Sequence, residues 1–364
     1  MKTLRSVLAE APLVWLLFAV PLTAWLHHAR PEAALLGFVL ACIAIIPLAG
    51  LLGLATEKLA ARVGDAIGGF LNATLGNAAE LIIALVALRA GMLDVVKASL
   101  TGSIIGNLLL VLGAAFLAGG LKHPVQTFAT IGARAQVGMM ALAAMAILIP
   151  SVVAVIGGGK FVAQSVNFSI VVSVILLAVY LLSLVFSLGT HAHFFRADAD
   201  ATVEEVHGTP WSMSLAVGVM AVVTVLIVWM SEILVATVEH AATALGLSNL
   251  FIGVVVVAVV GNAAEHSTAV LMAMRNRMEI AVSIAMGSST QIALFVAPLL
   301  VLLSLVMAPV PLSLAFTGVE VFLVLMATFV ASILIVDGKS TWFTGVQLIA
   351  VYLVMAITVF AIPA

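Results

Sequence analysis

Two glutamates carry the chemistry that this chain can do. Glu80 closes the run Gly76-Asn77-Ala78-Ala79-Glu80, and Glu265 closes the identical run Gly261-Asn262-Ala263-Ala264-Glu265, 185 positions later. Each lies deep within a long apolar stretch. A charged side chain at such a depth in a bilayer costs about 2.5–3.5 kcal/mol on insertion scales, so it needs a cation, a proton or another side chain as partner. Each glutamate has an asparagine three residues earlier, Asn77 and Asn262, and positions i and i+3 share a helix face. A continuous helix through each run therefore aims one carboxylate and one amide at the same region. The small residues of the runs let neighbouring backbones come close.

Ser103 and Ser288 sit at the same offset from each other, again at about mid-depth of an apolar stretch, and Gln291 follows Ser288 by one turn. The set is two carboxylates, amides and hydroxyls, all oxygen donors. Hard oxygen ligands suit Ca²⁺, whereas zinc and copper prefer nitrogen and sulfur. Two buried carboxylates with nothing bound are strongly disfavoured in a low dielectric. One Ca²⁺ or a pair of protons would neutralise them. A protein that can rearrange only when neutralised would then exchange one for the other.

The elements that must position these groups are membrane helices. Of 364 residues, 64% are hydrophobic and 8% are charged, against about 45–50% and about 25% in a soluble domain. One cysteine, Cys42, excludes a disulfide scaffold, and 14 basic against 16 acidic residues argue against nucleic-acid binding. A span needs about 20 apolar residues. Eleven stretches qualify, near 11–27, 33–55, 69–91, 95–120, 131–156, 165–189, 212–237, 247–273, 279–306, 311–336 and 342–362. Runs such as Leu108 to Leu117 lack the polar alternation of a membrane β-barrel. The first stretch is read as a retained helix, because His27, His28 and Arg30 follow it in place of a small-residue cleavage site. Ten of the 14 lysines and arginines fall in loops on the side of the N-terminus. The positive-inside rule puts that end in the cytoplasm and the C-terminus on the opposite side, in a bacterial inner membrane or its equivalent.

The repeat extends beyond the glutamates. The same offset pairs Gly68 with Gly253, Ala84 with Ala269 and Gly102 with Gly287. Five helices separate the copies, an odd number, so the second copy enters the membrane from the other side. Inverted repeats are a transporter architecture with its site at the midplane. The expected organisation is an extra N-terminal helix over 1–30, a first five-helix repeat over 31–189 and a cytoplasmic acidic linker over 190–210. A second five-helix repeat over 211–364 completes the all-α polytopic fold.

Other ionisable groups have simpler readings beside functional ones. His266 follows Glu265 and points about 100° away, which fits packing or a proton relay behind the site. Glu232 is expected near the end of its span, reaching the interface or supporting the site. Glu320 is expected near mid-span, paired with Arg134 or Gln136 in an ion pair or gating contact. Asp198, Asp200, Glu204 and Glu205 form the acidic linker, either a solvated loop or a regulatory segment that concentrates cations. Their spacing is not that of an EF-hand. The chain holds no His-Glu-x-x-His and no Gly-x-Ser-x-Gly motif, so an intramembrane enzyme is not expected.

These motifs resemble those of the Ca²⁺/H⁺ antiporters, the cation/proton exchanger branch of the calcium/cation exchanger superfamily. The resemblance covers about 33–362 and rests on Gly76 to Glu80, Gly261 to His266 and Gly287-Ser288-Ser289-Thr290-Gln291. Ser231 to Val235 and Asp337 to Ser340 with Trp342 support it. It implies eleven spans, two inverted five-helix repeats and an acidic stretch between them. It implies that Glu80 and Glu265 are shared Ca²⁺/H⁺ carboxylates, with Asn77, Asn262, Ser103, Ser288 and Gln291 lining or fixing the site. Ca²⁺ and protons are then substrates, the bilayer is the solvent, no cofactor is required, and self-association stays open. Sodium exchangers of the superfamily carry further acidic or hydroxyl groups; here Ser289, Thr290 and Gln291 follow Ser288, with no third midplane acid from that helix. The alternatives are a Na⁺- or K⁺-coupled exchanger of the same fold and, behind it, a cation channel built on a carboxylate ring.

Overall fold

The structure, a computed structural model, describes residues 13–63, 65–162, 165–191 and 211–362. The chain is a multi-pass membrane protein made almost wholly of helices. They are α1 (Val14–Ala29, opening with a 3-10 turn), α2 (Ala34–Val63), α3a (Asp65–Leu75), α3b (Ala78–Arg89), α4 (Leu93–Lys122) and α5 (Thr130–Val162). They continue as α6 (Ser165–Thr190), α7 (Met213–Leu245), α8 (Asn249–Met274), α9 (Met278–Met307), α10 (Gly318–Ile335) and α11 (Trp342–Phe360). Among the described residues nine helices are long and apolar enough to cross a membrane; α1 is shorter, and α3 is in two pieces. Outward faces carry large apolar side chains such as Trp25, Leu182, Phe322 and Ile357, as a lipid-facing surface requires.

Three spans differ from the sequence expectation in ways that move a singled-out residue or break a helix. The seventh runs on to Leu245, where Gly246 stops it with φ 66° in the left-handed region. Glu232 therefore stands well inside α7 and exposed, not near its end. The tenth begins only at Gly318, so Glu320 lies in its first turn and not at mid-span. Residues 308–317 are irregular, stitched down by serines: Ser304, Ser169 and Ser151 hydroxyls accept the backbone N–H of Leu312, Leu314 and Phe316 at 2.8, 2.9 and 2.9 Å. The third span breaks at Gly76-Asn77.

Contacts between helix ends give the repeats opposite directions. Gln126-Thr127 (β1), just past α4, pairs antiparallel with Lys339-Ser340 (β2), just past α10. Gln126 Nε2 also donates to the Ala273 carbonyl (2.9 Å) and to Asn276 Oδ1 (3.0 Å) at the end of α8. The ends of α4, α8 and α10 thus share one side. At the start of α4, Lys97 Nζ donates 2.6 Å to the Ala315 carbonyl, just ahead of α10. The end of α3 adjoins the start of α4, while the end of its copy α8 adjoins the end of α4. The two copies therefore run in opposite senses, independent of any count of the helices between them.

Small residues bring the central helices into backbone contact. A methyl group at Gly102 of α4 would lie 2.1 Å from the Val254 carbonyl oxygen of α8, and one at Gly253 of α8 would lie 2.4 Å from Ala98 Cβ. The first helices of the two repeats, α2 and α7, pack antiparallel: Gly37 at the start of α2 lies near Thr237 of α7, and Arg62 Nε donates to the Trp211 carbonyl at 2.8 Å.

Candidate functional site

The five polar residues singled out beside the glutamates meet in one buried network. Ser288 Oγ donates to Asn77 Oδ1 at 2.6 Å, and Asn262 Nδ2 donates to Ser103 Oγ at 3.0 Å. Ser288 is the copy of Ser103, and Asn262 the copy of Asn77, so each asparagine is gripped by the serine of the other repeat. The amides are thus spent on bridging the repeats. The sequence expectation is that each asparagine shares a helix face with its own glutamate; in the structure each amide is also engaged by the serine of the other repeat.

Gln291 adds a second hold on Asn77. Its Oε1 accepts from Asn77 Nδ2 at 2.8 Å, and its Nε2 donates to the Thr74 carbonyl at 3.1 Å. The matching hold on Asn262 comes from a residue that the sequence reading missed. Asn107 Nδ2 donates to Ser288 Oγ at 2.9 Å and lies 3.4 Å from Asn262 Oδ1. Asn107 is fully buried and is the second residue of a π-helical segment, Gly106–Val111, inside α4; Gln291 directly precedes its counterpart, Ile292–Val296, inside α9. The offset pairs Asn107 with Ile292, one residue past Gln291, which hid the correspondence. The available signal was an asparagine one turn after Ser103 within an apolar run.

The two glutamates face each other across this network. A methyl group at Gly76 would lie 3.7 Å from Glu265 Oε1, and one at Gly261 would lie 3.2 Å from Glu80 Cγ and 3.5 Å from its Oε1. Each motif's glycine leaves room for the other motif's glutamate. The carboxylates are close enough to interact electrostatically. On each, Oε2 is shielded from solvent and has no hydrogen-bond partner. A buried acceptor without a partner needs an explanation, of which a bound water or ion is one. A cavity of about 10 Å³ adjoins Glu80, bounded by Ser99, Ser103, Val257 and Ile292, about the room one water needs.

The local conformations of the two glutamates differ. In α3 the Gly76 N–H closes the last turn onto the Asn72 carbonyl (2.9 Å), Asn77 caps α3b with φ −97° and ψ 32°, and Glu80 stands in the first turn of α3b. In α8 the same five residues lie inside a continuous helix. Asn262 there also donates 2.8 Å to the Ala258 carbonyl.

The remaining candidates among the described residues make no hydrogen bond to this network. The buried Nε2 of His266 has no hydrogen-bond partner. Glu320 closes a capping box: its Oε2 accepts from Thr317 N–H (2.8 Å) and Thr317 Oγ1 (2.7 Å), and its neighbouring charges are Lys97 and Asp94. The expected pairing with Arg134 or Gln136 is replaced by these. Asp198, Asp200, Glu204 and Glu205 lie outside the described residues. Among the described residues no group of three His, Cys, Asp or Glu side chains is arranged to hold a metal. The donor set is the pair of carboxylates with neutral amide and hydroxyl oxygens around them, which suits a hard cation or protons.

Comparison with known proteins agrees with this architecture. The profile of the family described as "Sodium/calcium exchanger protein" matches residues 33–189 and 215–361. A Ca²⁺/H⁺ antiporter of Synechocystis is 43% identical over 342 residues, covering 90% of this chain and 91% of that protein. The Ca²⁺/H⁺ antiporter ChaA of Bacillus subtilis is 45% identical over 331 residues, covering 91% and 93%. The solved structure of native YfkE superposes with a TM-score of 0.81 at 40% identity, covering 94% of this chain and 98% of that one.

Proposed function

The chain belongs to the sodium/calcium exchanger protein family, and within it we propose a Ca²⁺/H⁺ antiporter whose shared site is Glu80 and Glu265. The observation that carries this reading is the pair of buried, partnerless Oε2 atoms at equivalent positions of two inverted repeats. Two negative charges match one Ca²⁺ or two protons. Desolvation penalises the empty dianion far more than either neutralised state. Only loaded forms then pass between the two faces, which makes the two fluxes obligatorily coupled. Asn77, Asn262, Ser103, Ser288, Gln291 and Asn107 hold the crossing of α3 and α8 in place, so that the carboxylates meet across it. Eleven crossings, a cytoplasmic N-terminus and an opposite C-terminus complete the reading, with the acidic linker on the cytoplasmic side.

A Na⁺- or K⁺-coupled exchanger of the same fold is the nearest rival. The absence of a third midplane acid on the helix of Ser288 favours protons. The test is Ca²⁺ flux in proteoliposomes of the full chain under an imposed pH gradient, with membrane potential clamped and Na⁺ and K⁺ varied. Uptake that follows the pH gradient without either ion is expected. A requirement for Na⁺ or K⁺, or net Ca²⁺ flux that ignores the pH gradient as in a channel, would overturn the reading.

A further inference from the structure

Gln291 treats the two halves of the site unequally. The groups it holds, the Thr74 carbonyl and the Asn77 amide, stand on opposite sides of the break in α3. Thr74 is in the last turn of α3a, and Asn77 caps α3b. One side chain of the second repeat thus spans a gap in the first. The converse arrangement does not occur. The offset pairs Gln291 with Gly106, and a methyl group at Gly106 would meet nothing within 4 Å. The helix carrying Asn262 is unbroken, and Asn262 turns part of its amide back onto its own helix.

A helix break deprives carbonyls of their usual N–H donors, and a buried carbonyl must find another. Gln291 supplies one to Thr74. By holding Asn77 as well, it fixes the angle between the two pieces. Glu80 lies three residues past Asn77, in the first turn of α3b, so that angle sets where its carboxylate sits. Glu265 has no such freedom, because α8 is continuous on both sides of it.

We propose that Gln291 is a positioning residue that splints the α3 break, making Glu80 the adjustable carboxylate of the pair and Glu265 the fixed one. This rests on the reading of the two glutamates as the exchange site. Gln291 acts through Thr74 and Asn77 and is not itself a ligand of the cation.

Two measurements test it on the full chain. The first needs no transport: amide hydrogen exchange of Gln291→Met, which keeps the volume and removes the amide, with Gln291→Leu as a second variant of similar size. Exchange over 76–81 should quicken by about tenfold or more, with 261–266 unchanged, because only a local opening has become easier. Equal change in both segments, or none, would overturn the splint. The second is the Ca²⁺ dependence of uptake in proteoliposomes. Gln291→Met should raise KM by about tenfold with Vmax largely kept, and should add little in an Asn77→Ala background, since a splint fails once either of its two anchors, Thr74 or Asn77, is lost. Additive effects would make Gln291 an independent ligand and overturn the proposal. A parent protein that carries no Ca²⁺ against a pH gradient would overturn the exchange reading instead, and the hydrogen-exchange result would still decide the splint.

Discussion

Gly261 lies against Glu80: a methyl group in its place would stand 3.2 Å from Glu80 Cγ. The glycine of one repeat is thus part of the seat of the other repeat's carboxylate. Gly261→Ala should push Glu80 aside while leaving α8 helical, since alanine is the better helix former. We expect Ca²⁺ uptake in proteoliposomes to fall by about tenfold, since Glu80 must give by a few tenths of an ångström and a misplacement of about 1 Å can cost about a hundredfold. The thermal unfolding midpoint should stay close to that of the parent. Unchanged uptake would show that Glu80 does not need this seat.

Gly102 gives the contrasting case. The nearest atom to a methyl group there is the Val254 carbonyl oxygen, 2.1 Å away, and it belongs to backbone that cannot rotate aside. Gly102→Ala should separate α4 from α8 and destabilise by about 1–3 kcal/mol or more, the range of overpacked cores. A clearly lowered unfolding midpoint, or loss of the monodisperse folded species in detergent, is the expected readout.

Asn107 joins Ser288 to Asn262 and is buried. Asn107→Leu keeps the bulk but leaves both partners short of a donor, at about 1–3 kcal/mol for buried groups left unsatisfied. We expect lower thermal stability together with a raised KM for Ca²⁺, measured on the same preparation. A variant with normal KM would place Asn107 outside the site.

Glu320 should behave as a helix cap. Replacing Thr317 by valine removes both the hydroxyl that accepts Glu320 N–H at 3.3 Å and the donor to Glu320 Oε2. Loss of an N-cap costs about 0.5–2 kcal/mol. Thr317→Val and Glu320→Ala should therefore lower the unfolding midpoint and leave the KM for Ca²⁺ within about twofold, as expected of a change that spares substrate binding. A large KM change in Glu320→Ala would return it to the transport site.

These cases show what the sequence made legible. The repeated Gly-Asn-Ala-Ala-Glu run sufficed to find Glu80 and Glu265, and the shared offset led to Ser103 and Ser288. Asn107 escaped because strict pairing lands on Ile292, and the grip on Asn262 sits one residue away from that register. The break at Gly76-Asn77 could not be read locally, since Gly261-Asn262 is the same pair within an unbroken helix. What differs is the tertiary surrounding, above all Gln291 across the gap. Glu320 was misplaced although Thr317-x-x-Glu320 is a capping-box spacing; the apolar run ahead of it resembled a continuing span. Glu232 was expected near a span end at 237, whereas α7 runs on until Gly246 stops it.

The central claim is that Glu80 and Glu265 are the one place where Ca²⁺ and protons compete. Ca²⁺ uptake and proton release, followed together in proteoliposomes of Glu80→Gln and Glu265→Gln, test it most directly. A glutamine keeps the shape but can neither take up a proton nor supply a negative charge. Each single variant should lose both fluxes together, by about a hundredfold or more, while folding normally, as when a group indispensable to the step is removed. Proton-driven Ca²⁺ uptake that survives in either variant would contradict the account.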